Sequence, residues 1–399
     1  MVTRGYLKLY ILIFAVLIIH SFNVTPAYAD HVIDDLIISA ESGDAESQLA
    51  LGDAHFFGRG VPKNNVKALR WYRKSAEGGY KVAQFKLGQI FFDGKRIPQD
   101  YSEAIKWFRL AAEQGDAEAQ TLLGLSYSLG RGVPKNNTEA IKWYRIAAEQ
   151  GSAKGQFALG QVYFFGNSVP QSFREAIKWY RAAAEQGNPE AQFALGGSYY
   201  YGEAVPQDYK EAFNWYLRSA KQGYVVAQFA IGTSYYLGEG VEQNIEEALK
   251  WYRKAAEQGN EAAKIHLSKA YLKGLGKLSD YHNCAGWIDK AAEQGNAEAQ
   301  LILGGCYYLG KGKKKDRILS HMWIELAADK RNKTAIDLST RWIGSMTTED
   351  VRKAEKMALE WKKKQKEKLK KTAPANKSES VGITNSTESI TTPKTDPAH

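Results

Sequence analysis

Apolar and small residues along this chain follow two superposed periods. The short one is helical: in the stretch Asp116 to Gly151, Ala119, Gln120, Leu123, Gly124 and Tyr127 fall one, three and four residues apart, which is one face of an α-helix. Further on, Ala140, Trp143, Ala147 and Ala148 repeat the same spacing on a second helix. Between them Gly130, Gly132 and Pro134 break the first helix, because glycine accepts the positive φ of a helix C-terminus and proline cannot continue the hydrogen-bond ladder. Asn136 or Asn137 is placed to cap the second helix, and Gly151 closes it. The pattern therefore predicts a helix A, a tight turn and a helix B.

The long period is 36 residues. Trp71, Trp107, Trp143, Trp179, Trp215, Trp251, Trp287 and Trp323 recur at that interval without an insertion or deletion. A strict period of this length is the mark of a solenoid, in which each helical hairpin buries its apolar face against the next. Most repeats also place a glycine inside helix A, at positions 52, 88, 124, 160, 196, 232 and 304. Mid-helix glycine costs about 1 kcal/mol relative to alanine. The expected compensation is a close approach of helix A to the neighbouring helix B, with the tryptophan ring closing the gap. Burying about 200 Å² of such a ring is worth on the order of 5 kcal/mol.

Written as a consensus, A-x-x-Q-x-x-L-G-x-x-Y-x-x-G-x-G-V-P followed by A-x-x-W-x-x-x-A-A-E-x-G, the unit resembles the Sel-1-like repeat (SLR) family, a relative of the tetratricopeptide solenoids. Eight consecutive units spanning 44–331 carry the resemblance. It implies an all-α fold, a right-handed superhelical solenoid of helix-turn-helix repeats (an α/α superhelix). It further implies an exported or envelope adaptor that binds proteins, with no catalytic motif in the fold. Departures from the consensus include His55 at the tyrosine position of the first repeat, Ser268 and Cys284 in the seventh, and Lys313-Lys314 for Val-Pro in the eighth.

Outside the repeats, residues 1–29 have the plan of a secretory signal. Arg4 and Lys8 precede eleven apolar residues from Leu9 to Ile19, and Ala27-Tyr28-Ala29 offers a cleavage site. An apolar run of that length is short of the roughly 20 residues that span a bilayer, so a cleaved, periplasmic or secreted protein is expected. Residues 30–43 read as a capping half-repeat, 332–371 as a C-terminal cap with a basic helix, and 372–399 as a disordered tail.

The net charge of +10 becomes less suggestive of nucleic acid once it is located. Residues 351–371 carry ten Lys or Arg against three Glu, and the leader contributes two more cations. The repeats are nearly neutral, which argues against nucleic-acid binding by the array. A lysine run, Lys362, Lys363, Lys364, Lys366, Lys368, Lys370 and Lys371, is suited to an anionic membrane surface or an acidic partner; as the end of a helix it is equally suited to bulk solvent.

The foremost candidate binding surface is the outward side of helix A, which lines the concave face expected of the superhelix. The position after the family tyrosine holds Phe56, Phe92, Phe164, Tyr200, Tyr236 and Tyr308, with Asp53, Gln89, Gln161 and Thr233 three residues earlier. Such an aromatic ladder suits a protein or peptide partner, and stacking on wall glycans is the main alternative; a membrane-tethered spacer is a third. The competing reading is that the rings fill the seam between helices. Cys284 and Cys306 occupy small-residue positions in adjacent helices and form a possible disulfide. No enzyme is expected. Gly305 to Lys311 imitates a phosphate-binding loop but has Gly312 where a hydroxyl should hold magnesium, and seven scattered histidines offer no metal motif. No cofactor or metal is expected, and the protein is expected to be a monomer.

Overall fold

The computed structural model describes residues 26–95, 97–272 and 280–372. The leader from 1 to 25 and the expected disordered tail from 373 on lie outside the described residues, as do the side chains of Cys284, Lys370 and Lys371. All regular structure among the described residues is α-helical, 19 helices in all. Helix α1 (Pro26–Glu41) is followed by eight A–B pairs. They run from α2 (Ala45–Phe57) and α3 (Asn65–Glu77) to α16 (Ala297–Leu309) and α17 (Arg317–Ala328), and α18 (Lys333–Ile343) and α19 (Thr348–Thr372) close the chain. The chain divides into two compact units, one ending at Leu267 and one starting at Ser268, inside helix A of the seventh repeat. In the first unit each helix packs on the next in sequence, A on B within a repeat and B on the following A.

Local chemistry sets the hairpin. In the third repeat Asp116 caps helix A by accepting from the Ala119 amide at 2.8 Å. Gly130 ends that helix with φ of 71°, a left-handed conformation that costs glycine nothing. Of the two asparagines expected to compete for the helix B cap, Asn136 takes it, accepting from the Glu139 amide at 3.1 Å. The Asn136 amide in turn donates to the Tyr127 carbonyl at 2.9 Å, which pins the start of helix B to the end of helix A. The same backbone bond recurs from Asn64 to His55, Asp100 to Phe91, Ser172 to Tyr163, Asp208 to Tyr199, Asn244 to Tyr235 and Asp316 to Tyr307.

The helix A glycines do face a ring, but it is not the tryptophan. A methyl added at Gly124 would stand 2.7 Å from the Tyr144 ring, at Gly160 2.6 Å from Tyr180 and at Gly196 2.7 Å from Tyr216. The partner is the residue after the tryptophan, on helix B of the same repeat: Tyr72, Phe108, Tyr144, Tyr180, Tyr216 and Tyr252, and Ile324 in the eighth. Tyr72, Phe108 and Tyr252 are at most 1% exposed. Trp71, Trp143, Trp179 and Trp251 are only partly buried, and Lys74, Lys178 and Lys254 lie 4.5, 5.4 and 4.2 Å from the ring centres of Trp71, Trp179 and Trp251. The tryptophan is one residue round the helix from the glycine gap, so that Trp107, Trp215 and Trp323, which are 7–9% exposed, pack in the core beside the gap without closing it.

Glutamines join one repeat to the next. The buried helix A glutamine donates to the carbonyl of an alanine at the end of the preceding helix B, as Gln84 does to Ala76 at 3.0 Å and Gln120 to Ala112 at 3.0 Å. A second glutamine, just beyond helix B, then donates to its oxygen: Gln114 to Gln84, Gln186 to Gln156, Gln222 to Gln192 and Gln258 to Gln228, at 2.7–2.8 Å. The amides of Gln84, Gln156, Gln192 and Gln228 are thereby paired in both directions.

Both ends are covered. On α1, Ile33, Leu36 and Ala40 are buried against Leu51, Ala54, Val61 and Trp71; this helix begins before the expected Ala29 cleavage site. In the second unit α19 packs on α17 with Ala354 and Ala358 buried and Trp361 edge-on to Trp323 at 5.9 Å. Thr347 caps α19, accepting from the Asp350 amide at 3.1 Å. Beneath it His321 is 0% exposed, and neither ring nitrogen has a hydrogen-bond partner among the described residues. Burial pulls its pKa below the ordinary value against the opposing pull of Glu325 and Glu355.

Two stability predictions result. Gly124→Ala should cost about 1–3 kcal/mol through the clash with Tyr144. Gly197→Ala should gain up to about 1 kcal/mol from helix propensity, since its methyl meets only the Tyr216 hydroxyl at 3.8 Å; thermal melts of the two variants should move in opposite directions. His321→Ile should stabilise by about 1–2 kcal/mol by removing two unpaired buried nitrogens. Because the folded pKa of His321 is lowered, its contribution is full above the unfolded value of about 6.5 and is lost as pH falls toward the folded value. Melting curves between pH 7.5 and 5 should therefore slope more steeply for the parent than for His321→Ile.

Candidate functional site

The six ladder rings all lie in the last turn of helix A, where the chain turns toward helix B. They are largely used in packing inside their own repeats. Phe56 lies 6.0 Å from Tyr72, Phe92 5.8 Å from Phe108 and Phe164 6.1 Å from Tyr180, so each braces the ring that covers the helix A glycine. On the other side Phe92, Phe164 and Tyr200 meet the first residue of helix B, Tyr101, Phe173 and Tyr209, edge-on at 5.1–5.2 Å. A loop glutamine donates to the ring residue's own carbonyl: Gln99 to Phe92, Gln171 to Phe164, Gln207 to Tyr200 and Gln243 to Tyr236, at 2.7–2.8 Å. Most of the rings remain half-buried, and Tyr308 is 37% exposed. The series is interrupted by Ser128 in the third repeat and Leu272 in the seventh.

The polar positions three residues earlier divide into two kinds. Asp53 accepts from the buried Tyr72 hydroxyl at 2.6 Å and is also paired with Lys86. Thr233 accepts from Tyr252 at 3.2 Å while donating to the Phe229 carbonyl. These two satisfy a core hydroxyl. Gln89 and Gln161, in contrast, are exposed; opposite Gln89 stands Phe108, which has no hydroxyl to satisfy.

Sequence reasoning passed over the adjacent position, the last residue of helix A. Phe57, Leu129, Phe165, Tyr201, Leu237 and Leu309 are 45–57% exposed, which is unusual for side chains of this size recurring at one place in a repeat. In the first unit they form a series of apolar side chains at the A–B turns, broken by Asp93 in the second repeat. The signal was present, an apolar residue directly before the turn glycine, but the same residue type at a helix end is also what ordinary packing supplies.

Charges beside these turns change sign along the chain. The residue after the turn glycine is Arg59, Lys95 and Arg131 in repeats 1–3, Asn167 in repeat 4, Glu203 and Glu239 in repeats 5 and 6, and Lys311 in repeat 8. Arg59 lies 4.7 Å from the Phe57 ring centre and Arg131 5.7 Å from that of Tyr101. In repeats 5 and 6 Tyr200 donates instead to Glu239 at 2.8 Å and stands 4.9 Å from Tyr201. Burial raises the Glu203 carboxyl above its usual range, and burial together with Glu203 and Glu239 raises the Tyr201 phenol.

Of the lysine run, Lys362 pairs with Asp329, and Lys363, Lys364, Lys366 and Lys368 are exposed. Cys306 is a free, buried thiol with a pKa pushed up to about 11 by that burial. The side chain of Cys284, its expected disulfide partner, lies outside the described residues. Among the described residues there is no group of three or more His, Cys, Asp or Glu suited to a metal, and no helix is long and apolar enough to cross a membrane.

With this geometry in place, comparison with known proteins gives a consistent result. The Sel1 repeat model matches eight times, at 45–80, 81–116, 117–152, 153–188, 189–224, 225–260, 262–296 and 297–332. A Sel1 repeat protein from Oxalobacter formigenes is 33% identical, with 84% of this chain and 93% of that one covered and a TM-score of 0.53. A protective antigen present in uropathogenic Escherichia coli strains, displaying an SLR fold, is 27% identical over 91% of this chain and 100% of its own, with a TM-score of 0.52. No curated protein matches the chain.

The packing of the ladder predicts how its members respond to truncation. Phe164→Ala should lower stability by about 1–3 kcal/mol, because it removes support from Tyr180 and Phe173. Phe165→Ala, one residue on, should change it by less than about 0.5 kcal/mol. Chemical unfolding of the two variants measures the difference, and equal losses would show that Phe165 is also packed.

Proposed function

The chain belongs to the Sel1 repeat family, whose scaffolds typically mediate protein–protein interactions, and on that basis we propose that it is an exported, periplasmic or secreted adaptor. It binds a protein or peptide partner along the edge formed by the ends of the A helices. The observation that carries this reading is the recurrence of exposed apolar side chains at one position, Phe57, Leu129, Phe165, Tyr201 and Leu237. A solenoid needs its apolar residues between repeats; those at the turn lie edge-on to the ladder rings, Phe57 on Phe56 and Phe165 on Phe164 at 5.1 Å, yet keep about half of each side chain open to a partner's surface. The ladder rings Phe56, Phe92, Phe164, Tyr200 and Tyr236 stand directly behind and hold the edge rigid, and exposed Gln89 and Gln161 supply polar contacts near it.

Export rests on the leader's three-part plan, and the protective antigen of Escherichia coli among its structural neighbours supports it. The exposed lysines of α19 provide a second contact, suited to an anionic membrane surface or an acidic partner. The Glu and Lys of helix B, such as Glu103 and Lys106 at 3.0 Å, are ion-paired on a solvated face, an arrangement that favours a scaffold over a wall-active enzyme.

Affinity capture from an envelope extract, with the full-length protein and a triple Phe165→Ala, Tyr201→Ala, Leu237→Ala variant, tests the reading. The parent should retain a defined partner that the variant loses while keeping its melting temperature. An unchanged set of captured proteins on the folded variant would place binding elsewhere.

A further inference from the structure

The first compact unit treats aromatic side chains at its A–B turns in two different ways. In repeats 1 and 3 the chain supplies its own cation to a ring, Arg59 on Phe57 and Arg131 on Tyr101. These residues follow the C-terminus of helix A, where the helix dipole favours positive charge. In repeats 5 and 6 the equivalent residues are Glu203 and Glu239. They set negative charge against the negative end of the dipole, an arrangement the fold itself does not benefit from. Around them lie Tyr200, Tyr201 and Tyr209, with Tyr201 53% and Tyr209 38% exposed. Tyr200 holds Glu239 at 2.8 Å, and its ring lies 4.9 Å from Tyr201 and 5.2 Å from Tyr209. Among the described residues no cationic side chain lies over these three rings, and neither glutamate is in a salt bridge.

Taken together, the geometry points to a basic peptide segment as the occupant of the repeat 5–6 edge, one of its arginine or lysine side chains entering the Tyr201, Glu203, Glu239 corner. The incoming cation takes the place that Arg59 and Arg131 take for themselves in repeats 1 and 3. It stacks on tyrosine and neutralises two carboxylates whose charges both act on the Tyr201 phenol. The same charge series gives the partner an orientation: its basic part goes to repeats 5–6 and an acidic or neutral part to repeats 1–3, where Arg59, Lys95 and Arg131 repel cations. Burial raises the Glu203 carboxyl above its usual range, and a cation placed beside it would favour the charged form.

This deepens the adaptor reading and depends on it, because it names the chemistry of the partner on the same edge. The test uses the full-length protein and a fluorescein-labelled peptide alternating arginine and glycine, with a glutamate-for-arginine peptide as control, followed by fluorescence anisotropy. The parent should bind the arginine peptide, more weakly as salt is raised, and not the glutamate peptide. Glu203→Gln with Glu239→Gln should weaken binding about tenfold or more, and Tyr201→Ala by about threefold or more. Tyr201→Phe should retain parent affinity, since the ring and not the hydroxyl meets the cation. Glu246→Gln with Glu247→Gln removes the same formal charge from the outer face of helix B in repeat 6 and should change affinity by less than about twofold. Equal losses in the two double variants would reduce the effect to general electrostatics and overturn the assignment, as would absence of binding by the parent.

Sedimentation of the unliganded parent covers one rival occupant. If it associates with itself in a way that Lys363→Gln with Lys364→Gln abolishes, the lysine-rich helix of a second copy takes this edge and the external peptide is excluded. The two proposals also fail separately. Envelope partners that are lost with the triple apolar variant but not with Glu203→Gln and Glu239→Gln would keep the adaptor and remove the basic partner.

Discussion

Contact between a ring and a bare backbone governs this protein. In six of the repeats a tyrosine or phenylalanine of helix B lies against a helix A glycine of the same hairpin, so close that a single methyl group would reach within 2.7 Å of the ring. The approach sets the distance between the two helices, and most other features follow from that distance. Ladder rings such as Phe164 can brace the covering ring only because it sits there. Asp53 and Thr233 are polar because the covering tyrosine brings a hydroxyl into a poorly solvated place. Where the ring is replaced by Ile324 in the eighth repeat, the glycine is still filled from above, with side-chain volume in place of aromatic area.

Repeats couple through a continuous apolar layer, Ala76 with Ala83 and Leu87 and then Ala112 with Ala119 and Leu123, with polar groups set into it. Glutamines cross the junctions in the buried layer except into the seventh repeat, where Lys264 holds that position, and arginines of helix B reach the next repeat's tyrosine, Arg109 to Tyr127 at 2.8 Å and Arg181 to Tyr199 at 2.7 Å. Exceptions in the pattern leave orphaned atoms. Gln300 Oε1 is buried without a partner because position 330 is a lysine, which donates to the Gly295 carbonyl instead. Gln120 Oε1 is likewise unpaired. Such atoms each cost on the order of 1–3 kcal/mol, while the bonds that cross the junctions there, Gln120 to Ala112 at 3.0 Å and Gln300 to Ala292 at 3.2 Å, are kept.

Function on a scaffold of this kind depends on where the repeats differ. Residues that every repeat shares are committed to the hairpin or to its neighbour, so they carry little about a partner. Except at Asp93 in repeat 2, the exposed turn residues keep their apolar character while the charge beside them passes from positive in repeats 1–3 to negative in repeats 5 and 6. A partner bound along that edge would meet a constant apolar contact and a varying electrostatic one, which is how affinity and direction can be set separately.

Much of the fold was legible in the sequence alone. The 36-residue period, the helix–turn–helix unit, the glycine turns and the covering helices at either end could all be read from spacing, because periodicity and backbone chemistry are local properties. Which aromatic residue covers the glycine was not: Trp143 and Tyr144 are neighbours, and only the rotation of helix B against helix A puts the tyrosine over Gly124 and turns the tryptophan aside. Nor could spacing tell packed from exposed rings at the end of helix A. Phe164 and Phe165 are the same residue type one position apart, yet the first braces the core and the second faces solvent. Composition and period decide that apolar side chains are present at such a place. The direction each one points is decided by the helix it packs against, and that is a property of the assembled hairpin.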